Sequence, residues 1–268
     1  IVHRHGRDER PATPMAIDTV VGFIRAMKAL FVWLDEDEDI PWSRPRSFRR
    51  IFAIKREAMK TETERKQETH EMVTGRIPLF EVEERALLYA GASEQACAWM
   101  LLALNCGFTQ QELSDLRTFE VDLDAQIPCI HRKRGKTGVE MKWELWPETA
   151  EAIRTTMAHD NRGNRIFLTA HGKTLCGGKE NGRDAVRQVW RKLRVEAGRP
   201  DALSFKYLRK TGGDCMKRLD GIEVSEMYLA HVEMQRMSRH YTNRDWDRMN
   251  ASLREMREIF RPMWLSQA

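Results

Sequence analysis

The sequence predicts a mainly α-helical protein with a small antiparallel β-sheet, an α+β architecture in two domains. Apolar residues in most of the chain recur at the three- and four-residue spacing of amphipathic helices. One stretch, residues 119–146, changes to the alternating pattern of β-strands. A polar stretch, residues 60–76, separates two apolar regions and therefore predicts a domain boundary.

The N-terminal region predicts a small helical domain over residues 1–65. Apolar residues from Ala16 to Trp33 follow helical spacing, and Ser47–Met59 predicts a second helix. Residues 66–77 form the predicted linker. The chain starts at Ile1 rather than Met, which leaves open whether an N-terminal segment precedes it, and nothing here resembles a signal peptide.

Residues 78–268 form the predicted second domain. Helices are expected at Phe80–Ala92, Ser93–Asn105, Thr109–Leu116, Pro147–Met157, Arg183–Ala197, Ser204–Leu219, Val224–Ala230 and Asp245–Phe260. Strands are expected around Phe119, Val121 and Leu123, at Ile127–Ile130, at Val139–Leu145 and at Ile166–Thr169. Thr109 is a residue type that caps helix N-termini, and Pro147 suits a first helical position. These residue types justify two of the helix starts.

The composition fits a folded protein with a substantial core. Of 268 residues, 41% are hydrophobic and 32% are charged, which excludes a collagen-like, low-complexity or wholly disordered chain. The longest apolar run, residues 96–104, is far shorter than the roughly 20 residues that span a bilayer, so we expect no membrane segment. Five scattered cysteines form no disulfide framework and no zinc motif. We therefore expect a cytoplasmic protein without a metal site.

Basic residues are concentrated in three stretches, residues 44–60, 131–136 and 183–199. Such stretches attract phosphate, because neutralising it releases counterions, although a solvated helix face explains any one of them equally well. Three stretches in a chain of net charge +5 favour a polyanion partner, although charge alone does not identify it. The predicted contacts are Arg44, Arg46, Arg49, Arg50, Lys55, Arg132, Lys133, Arg134, Arg183, Arg187 and Lys210.

Three short motifs follow one another in the second domain. Lys136 lies in a turn between two predicted strands, and the tetrapeptide KYLR at 206–209 opens a helix. LAH at 229–231 is followed, ten residues after His231, by Tyr241. This order and spacing resemble the catalytic domain of the tyrosine recombinase, or phage integrase, family. The segments LLALNCGFTQQELSDL at 101–116 and VDL at 121–123 extend the resemblance, and the helical region before it resembles the family's core-binding domain.

The resemblance implies DNA strand transfer through a 3′-phosphotyrosyl intermediate, with Tyr241 as nucleophile. A phenol has a pKa of about 10, so cations must stabilise the charge that develops on phosphate, and an acid must protonate the leaving oxygen. The resemblance assigns these roles to Arg209, His231 and Lys206 around the phosphate and to Lys136 as acid, with Lys133 as its alternative. It implies no metal and no nucleotide cofactor. The implied partner is double-stranded DNA, on which the protein would form dimers or tetramers, with the C-terminal helix packed on a neighbouring subunit.

Two residues depart from the family pattern: Lys206 stands where the family usually has His, and the departure that matters most is at Thr109. Thr109 stands where the family has its first phosphate-binding arginine, and a hydroxyl replaces five charged N–H donors. Three explanations remain open: another cation (Arg117, Arg132 or Arg134) reaches the site, the enzyme is slow, or catalysis is lost and DNA binding is kept. The alternative functions are therefore a catalytically impaired DNA-binding or accessory protein and a type IB-like topoisomerase. We expect the DNA-bound protein to be associated with the nucleoid.

Overall fold

The computed structural model describes residues 17–37, 39–48, 52, 77–135, 138–159, 161–177, 184–231 and 245–265. The chain divides into two compact units, Ile1–Ile77 and Pro78–Ala268. Six residues to which the sequence assigns a role lie outside the described residues: Arg49, Arg50, Lys55, Lys136, Arg183 and Tyr241.

The first unit contains helix α1, Ile17–Glu36, which confirms the predicted first helix. Phe31 stacks on Trp42 with ring centroids 5.5 Å apart. Arg44 pairs with Asp35 at 2.7 Å, which ties the segment after the helix back to its last turn. The predicted second helix falls almost entirely outside the described residues.

The second unit is helical around a three-stranded sheet. Its helices are α2 (Val82–Ala90), α3 (Glu94–Asn105), α4 (Gln110–Asp115), α5 (Pro147–Thr156), α6 (Ala185–Glu196), α7 (Lys206–Tyr228), α8 (Trp246–Phe260) and α9 (Pro262–Leu265). Its strands are β1 (Val121–Asp122), β2 (Cys129–Lys133) and β3 (Glu140–Glu144), paired antiparallel in that order. Helix α3 lies at the centre, with every residue from Ala98 to Asn105 buried. The predicted mainly α class with a small antiparallel sheet is confirmed.

The pairing of β2 with β3 decides which side chains face the core. Ile130 lies opposite Trp143 and Arg132 lies opposite Met141, and both apolar partners are buried. Because side chains alternate along a strand, Ile130 and Arg132 share the covered face, whereas Lys133 is exposed on the other. The basic stretch in β2 is therefore divided between two faces of the sheet.

Two predicted strand positions are wrong. Phe119 lies in a single turn of 3-10 helix, Thr118–Glu120, and its side chain is 79% exposed. Ile166–Thr169 is not a strand, since one isolated bridge joins the preceding Arg165 to Arg117. Ile166 and Phe167 are nevertheless fully buried, so their apolar character reflects packing of a loop rather than a sheet.

Helix α7 is interrupted at Asp220 and Gly221. The interruption lies between the two helices that the sequence predicted, Ser204–Leu219 and Val224–Ala230. Gly221 has φ 89°, a conformation that strains any residue with a Cβ, and it follows the non-helical Asp220. Arg248 of α8 donates to the Asp220 carboxylate at 2.8 Å, so the break also anchors the C-terminal helix.

Helix α8 packs against the second unit of its own chain. Its apolar side, including Leu253 and Met256, is buried. Trp146 donates an indole hydrogen bond to the Leu253 carbonyl at 2.9 Å, and Arg254 pairs with Glu144 of β3 at 2.8 Å. These contacts cover the apolar face of α8 within its own chain.

Candidate active site

Arg209 lies in the first turn of α7 and points toward the far end of the same helix. Its Nη1 donates to the carbonyl oxygen of Gly107, and its Nη2 donates to that of Leu229. The Glu112 carboxylate lies 3.7 Å from Nη1. Burial lowers the pKa of the Arg209 guanidinium, Glu112 opposes this shift, and the nearby charge of Arg134 adds to it. An arginine stays protonated under such shifts, so a positive charge is fixed here.

His231 is positioned by the way α7 ends. The backbone N–H of Ala230 donates to Met227 and that of His231 donates to Glu226, both at 2.9 Å. These two bonds are the Schellman pattern, and Ala230 has the left-handed φ of 50° that it requires. The pattern turns the chain out of the helix and leaves His231 exposed.

Tyr228 holds this helix end against α3. Its hydroxyl donates to the Leu104 carbonyl at 2.6 Å, and the whole side chain is buried. Burial raises the pKa of this phenol well above its ordinary value. A Cβ at Gly212 would collide with the Tyr228 hydroxyl, so the glycine allows the close approach. The carbonyl of the adjacent Leu229 is thereby held at a fixed place beside Arg209.

Thr109 caps helix α4. Its hydroxyl donates to Glu112 Oε2 at 2.7 Å, its backbone N–H donates to the same oxygen at 2.8 Å, and the Glu112 N–H donates back to the hydroxyl at 3.3 Å. This reciprocal arrangement is a capping box. The predicted cap is confirmed.

Arg134 reaches the same carboxylate from the turn after β2. Its Nε lies 2.6 Å from Glu112 Oε1, and its Nη1 donates to the carbonyls of Leu229 at 3.2 Å and Ala230 at 3.4 Å. Burial alone would raise the pKa of Glu112. Arg209, the two hydrogen bonds from Thr109 and Arg134 together hold that pKa below its ordinary value. Glu112, Arg134 and Arg209 form one group of charged side chains, the Glu112 cluster.

The other two arginines proposed as substitutes lie elsewhere. Arg132 donates to the main-chain carbonyl of Glu112 at 3.1 Å, lies 3.4 Å from the Glu120 carboxylate and stacks over the Phe108 ring at 5.5 Å. Arg117 donates to the carbonyl of Gly163 in the loop before Ile166. Both guanidiniums are used to hold loops and sheet together.

The remaining predicted side chains are mostly at the surface. Lys206 is exposed and Lys210 is half-buried, and their ammonium groups lie 5.4 Å and 4.3 Å from the centre of the Tyr207 ring. Lys133 is exposed on β2 and Arg187 is exposed on α6. Arg44 and Arg46 are exposed in the first unit.

The sequence analysis missed Glu112 as the centre of the cluster. The signal was present, because Thr109 and Glu112 have the T-x-x-E spacing of a capping box. The carbonyls of Leu229 and Ala230 carried no such signal, since main-chain acceptors are set by the fold. Within the described residues there is no group of three or more metal-ligating side chains, and no described helix is long and apolar enough to cross a membrane.

The comparisons with known proteins agree with this fold. No curated protein sequence matches the chain significantly. The integrase of the transposon Tn1549, solved in complex with a circular intermediate DNA, is 14% identical over 90% of this chain and 80% of that chain, with a TM-score of 0.54. The same integrase bound to transposon right end DNA is 16% identical over 92% of this chain and 80% of that chain, with a TM-score of 0.51. An integrase from mycobacterium phage Brujita is 18% identical over 91% and 73% of the two chains, with a TM-score of 0.48.

A family model supplies the assignment. The model described as the phage integrase family matches residues 81–248, which is more than half of the chain. This span holds all six residues assigned to catalysis from the sequence. The chain belongs to the phage integrase family, whose members are site-specific DNA recombinases that transfer DNA strands.

Proposed function

We propose that this chain cleaves and rejoins DNA strands through a phosphotyrosyl intermediate on Tyr241. The phenol oxygen attacks the phosphorus, a P–O bond to tyrosine forms, and the bond to the 5′ oxygen breaks. The phenol gives its proton to water, and the leaving 5′ oxygen takes one from Lys136. A 5′ hydroxyl of another strand then reverses the step, so the energy of the broken bond is conserved.

The observation that carries this proposal is the placement of Arg209 beside the chain segment that ends in His231. Arg209 and the Leu229 carbonyl are bonded, and His231 is the second residue beyond Leu229. A fixed guanidinium, with an exposed histidine two residues beyond its carbonyl acceptor, suits an anionic phosphoryl group in a polar transition state. Lys206, exposed at the start of the same helix, supplies a further donor.

The other tyrosines make poor nucleophiles, which supports Tyr241. The chain has four tyrosines. Tyr228 is fully buried and its hydroxyl donates to Leu104, whereas Tyr207 is only 7% exposed. Burial raises the pKa of Tyr89, so its phenolate is disfavoured. An attacking phenol has to reach a phosphate on bulky duplex DNA, and these three environments oppose that.

The wider architecture extends the proposal. Residues 1–65 act as the core-binding domain, 66–77 as the linker and 78–268 as the catalytic domain, and the exposed basic side chains contact phosphates. Lys133, Arg187 and Lys206 are the described candidates in the second unit. The chain binds double-stranded DNA, as the Tn1549 integrase binds a circular intermediate DNA in its solved complex, and forms dimers or tetramers there. The protein works on chromosomal DNA in the cytoplasm.

A catalytically impaired DNA-binding protein is the second candidate, and Thr109 favours it. The Thr109 hydroxyl is bonded to Glu112, so the position contributes no charge to a phosphate. Loss of one donor of this kind typically costs about 2.7–4 kcal/mol of transition-state stabilisation, or about 10²–10³ in rate.

Covalent trapping tests the proposal. The chain is mixed with nicked duplexes of randomised sequence, denatured, and compared with Tyr241→Phe. We expect a shifted protein–DNA band that the variant lacks, and sequencing the trapped DNA then gives the site. Binding without a band supports the impaired protein. Relaxation of supercoiled DNA without sequence preference supports a topoisomerase.

A further inference from the structure

We propose that Arg134 supplies the second guanidinium that binds the scissile phosphate, in place of the arginine that Thr109 replaces. The inference rests on the proposed function and adds a residue to it. Arg134 belongs to the β2–β3 hairpin, not to the segment around Thr109, so the positive charge enters the site from a different element.

Arg134 and Arg209 converge on the same two acceptors. Arg209 Nη2 and Arg134 Nη1 both donate to the Leu229 carbonyl, the latter at 3.2 Å. Glu112 lies 2.6 Å from Arg134 Nε and 3.7 Å from Arg209 Nη1. Two guanidiniums that share a carbonyl oxygen and a carboxylate lie side by side. Their pairing therefore forms a two-arginine site although the usual position holds a threonine.

The charge balance of the Glu112 cluster favours an anion. Two guanidiniums face one carboxylate, so the cluster keeps an excess of one positive charge, and the charge of Arg134 contributes to the lowered pKa of Arg209. The side chains of Arg134, Arg209 and Glu112 are only 11%, 12% and 15% exposed. Solvent screens such charges weakly, and one phosphodiester balances the excess.

The hairpin fixes Arg134 in this place. Its backbone N–H donates to the Val139 carbonyl and its carbonyl accepts from the Gly138 N–H, both at 2.8 Å. Arg134 thus closes the base of the turn that holds Lys136 in the sequence. One residue therefore links the turn carrying the proposed acid to the helix end carrying His231.

The two other open candidates lack this relationship. Arg132 contacts the main chain of Glu112, the Glu120 carboxylate and the Phe108 ring. Arg117 contacts the Gly163 carbonyl. Among the described contacts, neither shares an acceptor side chain or the Leu229 carbonyl with Arg209.

A purely structural role for Arg134 predicts something different. Arginines often bond the last carbonyls of a helix, and Arg134 does so at the end of α7. A helix cap would hold the hairpin in place whatever the charge of the substrate. A phosphate-binding arginine matters most when the phosphate is negative.

The test measures covalent trapping on the duplex that the wild-type chain selects. This duplex is synthesised in two forms, one with a normal phosphate at the scissile position and one with an uncharged methylphosphonate at that position. Arg134→Ala is compared with Thr109→Arg/Arg134→Ala, and Arg117→Ala is the matched arginine control. We expect Arg134→Ala to trap about 10²–10³ times more slowly on phosphate. We expect most of this defect to disappear on methylphosphonate, the added Thr109→Arg to restore trapping on phosphate, and Arg117→Ala to trap as the wild type does.

Each contrary outcome is distinct. Wild-type rates for Arg134→Ala on phosphate overturn the inference alone, whereas absence of a wild-type band overturns the proposed function with it. A defect that is equal on both substrates and that Thr109→Arg does not relieve assigns Arg134 to hairpin docking and overturns the inference. Thermal unfolding monitors folding. If the alanine variant does not fold, Arg134→Gln gives the same comparison, because the amide removes the positive charge but keeps N–H donors for the carbonyls at the end of α7.

Discussion

The Thr109 hydroxyl donates a hydrogen bond of 2.7 Å to the Glu112 carboxylate, which also pairs with Arg134 at 2.6 Å. Thr109 is therefore a helix cap, and its hydroxyl is bound to a carboxylate of its own helix. The Glu112 carboxylate lies beside two guanidiniums from other elements, Arg134 in the β2–β3 turn and Arg209 at the start of α7. The Glu112 cluster beside Thr109 therefore has two guanidiniums and one carboxylate.

The capping role of Thr109 predicts a stability effect without a catalytic one. Thr109→Ala removes a hydroxyl that both accepts from and donates to Glu112, so we expect a loss of about 1 kcal/mol in the free energy of unfolding. Thr109→Ser keeps the hydroxyl and should stay close to the wild type. Urea denaturation measures both, and an equal loss in the two variants would rule out the cap.

Glu112 predicts how stability depends on pH. The pKa of Glu112 is lower in the folded chain than the roughly 4.3 of an unfolded chain. The ionised carboxylate therefore contributes its full stabilisation to the free energy of unfolding above about pH 4.3, and this stabilisation is lost as the pH falls through the folded pKa. Glu112→Gln should therefore flatten the acid side of the stability curve. At neutral pH it should lower the free energy of unfolding by about 3–5 kcal/mol, because two buried guanidiniums lose their carboxylate. Urea denaturation across the acid range gives the curve, and an unchanged acid slope would contradict this assignment.

Local patterns in the sequence were enough to predict most of the fold. The spacing of apolar residues marked α1, and the residue types at Thr109 and Pro147 marked helix starts that the structure confirms. Ile166 and Phe167 were misassigned because burial in a loop and burial in a strand select the same apolar residues. Periodicity cannot separate these two cases in so short a run.

The left-handed Ala230 predicts that glycine is better there. At φ 50° an alanine Cβ strains the backbone by about 1–2 kcal/mol. Ala230→Gly relieves this strain, but glycine has more conformational freedom in the unfolded chain, which offsets part of the gain. We therefore expect a net increase of up to about 1 kcal/mol in the free energy of unfolding. Gly198→Ala is the reverse change at an exposed position, where Gly198 has φ 68° and open space around its Cβ position, and it should lose a similar amount. Thermal unfolding compares them, and destabilisation by Ala230→Gly would contradict the strain.

The exposed lysine at the start of α7 predicts a salt effect on DNA binding. If Lys206 neutralises one phosphate, Lys206→Ala should reduce the slope of log affinity against log salt by about 0.9. Lys192 is also exposed but is paired with Glu196 at 3.5 Å, so Lys192→Ala serves as control and should keep the slope. Fluorescence anisotropy with a labelled duplex gives both slopes. Equal slopes for Lys206→Ala and the wild type would place Lys206 away from phosphate.

The site was only partly predictable because its acceptors are not side-chain motifs. Arg209 and His231 were identified by their order in the chain, whereas the meeting of Arg134 with Arg209 depends on the Leu229 carbonyl. That carbonyl is held by the Schellman end of α7 and by the Tyr228 hydroxyl, which is a tertiary contact. A basic stretch also looks uniform in sequence, although strand alternation turns Arg132 inward and Lys133 outward.

Locating the DNA adduct tests the central claim most directly. The trapped complex is digested with nuclease and then with trypsin, and the modified peptide is identified by mass spectrometry. Cleavage after Arg239 and Arg244 releases the peptide 240–244, HYTNR, in which Tyr241 is the single tyrosine. We expect a nucleotide adduct on this peptide. An adduct on a peptide containing Tyr89, Tyr207 or Tyr228 would contradict the proposed mechanism.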